Sequence, residues 1–161
     1  GALPLLIGSR LDTMSLVGHH TDLNLDDFKV NGESVSENLV NTALKYLYAP
    51  YMLGGKSPFG IDASGFTQMV YKTCHLFLKR DIESQSKQGQ TLSFIEECTP
   101  GDLAFFDDEE GALIHVGIVL PNNYIIHAHG CVRIDRLDHT GIFNPSLSQY
   151  THKLRVLRTL Q

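Results

Sequence analysis

The chain has only three cysteines, Cys74, Cys98 and Cys131, and no two of them have the C-x-x-C spacing. An odd number of cysteines without that spacing argues against a disulfide framework and against a cysteine-rich zinc site. Packing is therefore the expected role of all three side chains.

Long apolar runs and an excess of positive charge are also missing. No run approaches the ~20 residues that a membrane-spanning helix needs, so we expect no membrane span. The 13 basic residues stand against 18 acidic ones, and this formal net charge of -5 argues against a nucleic-acid partner. Gly54-Gly55 precedes a turn rather than a G-x-x-x-x-G-K helix start, so we expect no nucleotide cofactor, and we expect no metal cofactor either.

The length and the apolar content predict one main domain with an N-terminal addition. The chain has 161 residues, of which 42% are hydrophobic, enough for one core. Residues 1–33 differ, because their short β-like runs are broken by turn signals such as Asn31-Gly32. We predict a β-rich segment over 1–33, either the tail of a preceding β domain or an edge addition, and the main domain over 34–161.

Two helices are expected early in this domain. Ser34 and Glu37 form a capping box, and the apolar spacing after them predicts a helix from about 35 to 48. The glycines and proline of residues 51–60 indicate a turn-rich loop. Asp62 then caps a second helix that reaches about residue 74, which places residue 63 in its first turn.

The second half of the domain is strand-like. Residues 81–91 form a polar stretch. Strands are predicted after them, over 103–106, 114–120, 124–128, 132–137 and 154–157. Because the connections are short, the strands should be antiparallel neighbours, and helices followed by such a sheet make an α+β domain.

Several short motifs recur in register along this domain. Residues 50–55 read P-Y-M-L-G-G, residues 60–66 read G-I-D-A-S-G-F, and residues 100–106 read P-G-D-L-A-F-F. Residues 115–118 read H-V-G-I, and His127 follows on the next strand. The pattern resembles the NlpC/P60 family of cysteine peptidases over roughly residues 36 to 158. One fixed position departs from it: the family has Cys where this chain has Ala63.

The resemblance implies a papain-like fold, with helices packed on an antiparallel sheet, and a cysteine peptidase site. A Cys at position 63 would be the nucleophile, since the positive end of a helix favours a thiolate. His115 would take its proton and later protonate the leaving amine, while His127 would fix the imidazole tautomer. Backbone N–H groups at the helix start could form an oxyanion hole, and the resemblance places Tyr51 in the site as well.

Ala63 cannot act as a nucleophile, because a methyl group has neither a lone pair nor a titratable proton. We therefore expect the chain to be inactive as written. Two explanations compete: an engineered Cys→Ala change and a natural pseudoenzyme that keeps the binding site. We favour the engineered change, since every neighbouring motif position is retained.

The resemblance also implies a substrate class. The family cuts peptidoglycan stem peptides, commonly between γ-D-Glu and the following diamino acid. In one subgroup the residues matching Asp62 and Ser64 bind the ammonium of a free N-terminal L-Ala, a reasonable carboxylate–ammonium contact. There an SH3-like domain precedes the catalytic domain, and residues 1–33 could be its remnant. We expect a monomer of the bacterial cell envelope or periplasm, or a secreted protein, with a cytoplasmic recycling enzyme as the alternative.

Other interpretations of these residues stay open. A strand histidine such as His115 is more often structural than catalytic when no motif surrounds it. His127, His129 and Cys131 alternate and could be metal ligands, although Gly130 weakens that geometry. A binding module and an amidase or acyltransferase are the alternative functions. The sequence suggests no partner for the remaining histidines, His19, His20, His75, His139 and His152.

Overall fold

Helices precede strands along the chain, as the sequence predicts. The computed structural model describes Ile7 and residues 34–161, so the segment 1–33 lies almost wholly outside the described residues. The helices are α1 (Val35–Leu44), α2 (Ala63–Thr73) and α3 (Ile82–Gln85), with a short 3-10 helix at Ile95–Glu97. The strands are β1 (Lys56–Ser57), β2 (Gly60–Ile61), β3 (Gln90–Leu92), β4 (Leu103–Asp107), β5 (Leu113–Leu120), β6 (Tyr124–His129), β7 (Cys131–Leu137), β8 (Gly141–Asn144) and β9 (Gln149–Thr159).

The large sheet has seven strands in the order β3-β9-β4-β5-β6-β7-β8, and every pairing in it is antiparallel. An additional β8–β9 pairing closes six of these strands into a barrel-like sheet. The α+β class is as predicted. The sequence did not predict the closure, because β8 was missed and β9 was expected only over 154–157. Strand β8 has only four residues, which is too short for a clear alternation, and β9 carries several exposed polar residues that weaken its alternation.

Two apolar layers flank this sheet. Side chains of β5 point alternately to its two faces, so Val116 and Ile118 join Phe66 and Val70 of α2 in one buried cluster. Val119 faces the other way and belongs to the cluster inside the barrel. Helix α2 is therefore held against β5 and β6 by a continuous apolar contact.

Helix α1 begins as predicted and ends earlier than predicted. The Ser34 hydroxyl accepts a hydrogen bond from the Glu37 N–H at 3.2 Å, and the Ser34 N–H donates to the Glu37 carboxylate at 3.0 Å. The helix was expected to reach residue 48, but it ends at Leu44. Tyr48 has a φ of 70° and donates its N–H to the Val132 carbonyl at 2.8 Å. The chain leaves the helix to reach β7, a contact that local sequence does not reveal.

The predicted 51–60 loop and the polar stretch 81–91 both contain regular structure. The 51–60 loop holds the small β1–β2 hairpin, in which Lys56 pairs with Ile61. A side chain at Gly55 would lie 2.2 Å from the Gly60 carbonyl oxygen, so this close crossing requires glycine. The polar 81–91 segment contains α3 and β3, and β3 is formed by pairing with β9, which is distant in the sequence. None of the helices in the described part of the chain is long and apolar enough to cross a membrane.

Candidate active site

Residue 63 lies at the start of α2, as the sequence predicts. Asp62 is the N-cap, with an extended backbone, and its carboxylate accepts the Gly65 N–H at 2.7 Å. Ala63 is the first helical residue and is 5% exposed. A side chain here stands among the unpaired N–H groups of the helix start, where a negative charge is favoured.

The start of α2 lies beside the turn that joins β6 to β7. Tyr51 forms a bridge with Ile61 and donates its N–H to the Gly130 carbonyl at 3.0 Å. Ala63 also shares a buried cluster with Val116 and Ala128, the sequence neighbours of His115 and His127. The fold thus brings residue 63 to the strands that carry the two histidines predicted to be catalytic.

The two predicted histidines contact each other, and an acid that was not predicted extends the contact. His115 Nε2 and His127 Nδ1 are 2.8 Å apart. His127 Nε2 lies 2.9 Å from Asp135 Oδ2. All three residues are buried, with exposed fractions of 5%, 1% and 4%. Arg133 donates to both oxygens of Asp135, at 2.7 and 2.9 Å.

Hairpin register was the signal that could have revealed Asp135. The β6–β7 turn sets His129 opposite Cys131, so His127 faces Arg133. Asp135 is then the diagonal neighbour of His127, within reach of a long side chain. In the sequence it reads only as one charge between Ile134 and Arg136.

Burial and neighbouring charges set the protonation of these groups. The pKa of His115 lies well below its usual value, because burial and the nearby imidazoles of His127, His152 and His129 disfavour its cation. Burial also lowers the pKa of His127, although the bond to Asp135 opposes this. Burial alone would raise the pKa of Asp135, but its bonds to His127 and Arg133 hold it below the usual value. At pH 7 His115 and His127 are therefore neutral, and Asp135 is ionised.

A second ion pair, also not predicted, holds the residue that caps α2. Arg80 donates to the two oxygens of Asp62, at 3.0 and 2.6 Å, and to the Ser64 hydroxyl at 2.8 Å. The Gly54 and Gly65 N–H groups donate to the same carboxylate, each at 2.7 Å. Burial would raise the pKa of Asp62, but these hydrogen bonds lower it. A carboxylate offers about four lone-pair sites, and four donors other than a ligand already occupy them.

The sequence profile of the NlpC/P60 family matches residues 48–152. This chain belongs to the NlpC/P60 family. It is 36% identical over 95 residues to a γ-D-glutamyl-L-lysine dipeptidyl-peptidase of Bacillus cereus, a match covering 58% of this chain and 28% of that protein. The NlpC/P60 chain thus spans less than a third of that relative.

Solved NlpC/P60 structures have the same fold. The crystal structure of an NlpC/P60 family protein from Bacillus cereus superposes with a TM-score of 0.68 and 29% identity, covering 80% of this chain and 41% of that one. The NlpC/p60 domain of the peptidoglycan hydrolase SagA gives a TM-score of 0.57 and 31% identity, covering 63% and 88% of the two chains. The proteins similar to this NlpC/P60 chain thus include a peptidoglycan hydrolase.

His152 joins the histidine pair of this NlpC/P60 site, although the sequence suggested no partner for it. Its ring stacks on His115 with centroids 4.2 Å apart and an interplanar angle of 28°. It also meets the ring of His129 at 5.0 Å. Burial, followed by the charges of His127 and His129, lowers the pKa of His152 to about 4. Strand β4 pairs with both β9 and β5, and these pairings between distant segments bring His152 near His115, a contact that the sequence does not reveal.

This imidazole cluster predicts a loss of stability in mild acid. Between pH 6.5 and about 4 the unfolded chain takes up a proton at His152 that the folded chain does not. The lowered pKa values of buried His115 and His127 act in the same direction. The free energy of unfolding should therefore fall with pH by up to about 1.4 kcal/mol per pH unit for each such imidazole. Urea titrations at several pH values measure the slope. His152→Phe keeps a ring against His115 and should flatten the slope; an unchanged slope would contradict this account.

The described residues show no metal centre. Within residues 34–161 no group of three or more His, Cys, Asp or Glu side chains is placed to hold an ion. Both ring nitrogens of His127 are hydrogen-bonded, to His115 and to Asp135. The open interpretation of His127 as a metal ligand with His129 and Cys131 therefore has no free nitrogen to use.

Proposed function

We propose that this domain is the catalytic part of a bacterial cell-wall cysteine peptidase that hydrolyses the amide bond between γ-D-Glu and a diamino acid in peptidoglycan stem peptides. One observation carries the proposal: residue 63 starts a helix that packs against the two strands carrying the buried His115–His127 pair. A relative named for action on a γ-D-glutamyl-L-lysine bond supports the substrate class.

The proposed reaction needs a thiol at position 63. His115 takes the thiol proton, and the thiolate attacks the carbonyl carbon of the scissile amide. Backbone N–H groups at the start of α2 stabilise the oxyanion, and Tyr51, half exposed beside Ile61, flanks the substrate. His115 then gives its proton to the leaving amine as the C–N bond breaks. Water, deprotonated by His115, releases the acyl group, and the thiol regains its proton.

Ala63 removes the nucleophile and leaves the rest of this arrangement in place. We propose that the chain is inactive as it stands and that Ala63 is an engineered replacement of Cys. A natural binding module for the same peptides is the second candidate. It is supported by the Asp62–Arg80–Ser64 contacts, which are complete without any nucleophile.

Selection of a free N-terminal L-Ala through Asp62 and Ser64 stays a prediction. Arg80 bridges both side chains, so the ammonium must share the Asp62 carboxylate with Arg80 or displace it. We also propose that the protein acts as a monomer in the cell envelope or outside the cell. Cytoplasmic recycling of released peptides is the alternative.

Calorimetric titration of the chain as it stands tests the substrate class. L-Ala-γ-D-Glu-L-Lys should bind saturably. In the α-linked isomer the free carboxylate of the Glu residue lies at a different position, and we expect this change to cost ~1.4 kcal/mol or more of binding free energy, which is at least about tenfold in affinity. Arg80→Ala removes the side chain that holds Asp62 and Ser64 in place and should therefore weaken binding. The control Lys79→Ala, at an exposed neighbouring position, should not. Equal affinity for the two isomers would contradict the proposed substrate class.

The same titration with an N-acetylated peptide tests the free-amine prediction. If Asp62 receives the ammonium, acetylation should weaken binding at least about tenfold, because a charge-assisted hydrogen bond is lost. Equal affinities would show that Arg80 keeps the carboxylate away from the peptide.

A further inference from the structure

The buried Asp135 carboxylate contacts the histidine pair, although Asp135 is not one of the motif residues that resemble the family. It lies on β7, is 4% exposed, and contacts His127 on one side and Arg133 on the other. We propose that Asp135 is a positioning residue that fixes the proton on His115 Nε2 and leaves His115 Nδ1 free to accept the thiol proton. This inference rests on the proposed function.

The argument starts at the carboxylate. Asp135 is flanked by the Arg133 guanidinium, which donates to both of its oxygens. A carboxylate ionised in this way only accepts hydrogen bonds. The 2.9 Å contact between Asp135 Oδ2 and His127 Nε2 therefore requires the proton to be on that nitrogen.

The hydrogen bond between His127 and His115 makes the tautomer of His115 depend on that of His127. A neutral imidazole carries one N–H, so His127 Nδ1 is an acceptor when Nε2 holds the proton. His127 Nδ1 lies 2.8 Å from His115 Nε2, which must then be the donor. His115 Nδ1 is the one ring nitrogen of the pair outside this chain of hydrogen bonds, and it carries a lone pair.

The same distances disfavour the opposite tautomers, in which both histidines carry the proton on Nδ1. With both tautomers reversed, the lone pair of His127 Nε2 would point at the oxygen of an anion 2.9 Å away. The bond would be replaced by a repulsive contact in a buried site, where an unsatisfied polar group is costly. His115 would then carry its proton at Nδ1 and could not accept one there.

Asp135 also stabilises the protonated form of His115 that the proposed reaction produces. When His115 has taken the thiol proton, the site holds an imidazolium. The negative charge of Asp135, reached through His127, stabilises that cation without itself becoming protonated. Arg133 keeps the carboxylate in place and ionised, because two parallel bonds fix its plane.

Nitrogen NMR of the histidine rings tests the tautomers directly, on the chain with Ala63. We expect His115 and His127 both to be protonated at Nε2. In Asp135→Asn the amide group can donate to His127 Nε2, so the opposite tautomers should appear in both rings. The matched control is Asp138→Asn, whose carboxylate instead bonds Tyr150 and Thr140, and it should leave both rings unchanged.

Either of two results would overturn the inference: a proton on His115 Nδ1 in the chain itself, or unchanged tautomers in a folded Asp135→Asn variant. The first needs no variant, so a folding failure of Asp135→Asn does not block the test. Neither result depends on catalysis.

Activity supplies the second readout. In the Ala63→Cys background, Asp135→Asn should lower kcat by about 10² to 10⁴-fold with KM changed less than about threefold, as expected for a wrong tautomer. Asp135→Glu should restore part of the loss, and Asp138→Asn should cause none. If Ala63→Cys itself cleaves nothing, the proposed function fails while the tautomer result stands. A loss confined to KM would contradict the positioning role.

Discussion

The thiol of the Ala63→Cys variant is expected to be alkylated by iodoacetamide at pH 6 at least about tenfold faster than the chain's own three cysteines. Thiols at helix N-termini beside a histidine have pKa values of about 3.5–7.5, against ~8.5 for free cysteine, so far more thiolate is present at this pH. The increase in alkylation rate is smaller than the increase in the fraction of thiolate, because a less basic thiolate is a weaker nucleophile.

The resident cysteines provide internal controls. Burial raises the pKa of Cys74, despite a contact with Thr42. Burial and then the charge of Asp102 raise the pKa of Cys98 to about 12. Mass spectrometry of the digested protein gives the alkylation rate of each site in one sample. A thiol at position 63 that reacts no faster than these two would mean that the start of α2 does not activate it.

His115→Gln in the Ala63→Cys background should lower kcat for peptide cleavage by about 10⁴-fold or more. Glutamine can still bond His127, but it can neither accept the thiol proton nor protonate the leaving amine at neutral pH. Cleavage is followed by mass spectrometry at saturating peptide. The control is His139→Gln, at an exposed position, which should retain full activity. If His115→Gln kept more than about a tenth of the activity, His115 would not be the acid–base group.

Two Asp–Arg ion pairs contact residues of the candidate site. Arg80 holds Asp62 at the start of α2, and Arg133 holds Asp135 behind the histidines. In each pair the arginine is partly exposed and the aspartate is buried, so the guanidinium keeps contact with water while it neutralises the carboxylate. In the proposed mechanism, the first pair positions the start of α2 and the second orients the histidine pair.

Local sequence predicted the elements that carry the candidate catalytic residues. The capping box at Ser34 and the N-cap at Asp62 are formed by residues within one helical turn, so their signals are complete in the sequence. The positions of residue 63, His115 and His127 came from motifs that resemble the NlpC/P60 pattern. Each of these is a short segment whose structure depends little on the rest of the chain.

The supporting groups could not be predicted in the same way. Arg80 reaches Asp62 from beyond the end of α2. His152 reaches His115 because β4 pairs with both β9 and β5, which lie far apart in the sequence. Both contacts depend on tertiary packing. Asp135 is intermediate, since the register of one hairpin would have placed it beside His127.

The central claim is that this chain is a cysteine peptidase domain inactivated by Ala63. The most direct test compares the chain with its Ala63→Cys variant on one substrate. Each protein is incubated with L-Ala-γ-D-Glu-L-Lys, and the products are followed by mass spectrometry. We predict L-Ala-γ-D-Glu and free lysine from the variant alone, with the peptide left intact by the chain that carries Ala63. A folded variant that binds the peptide and leaves it uncut would contradict the account and favour the binding module.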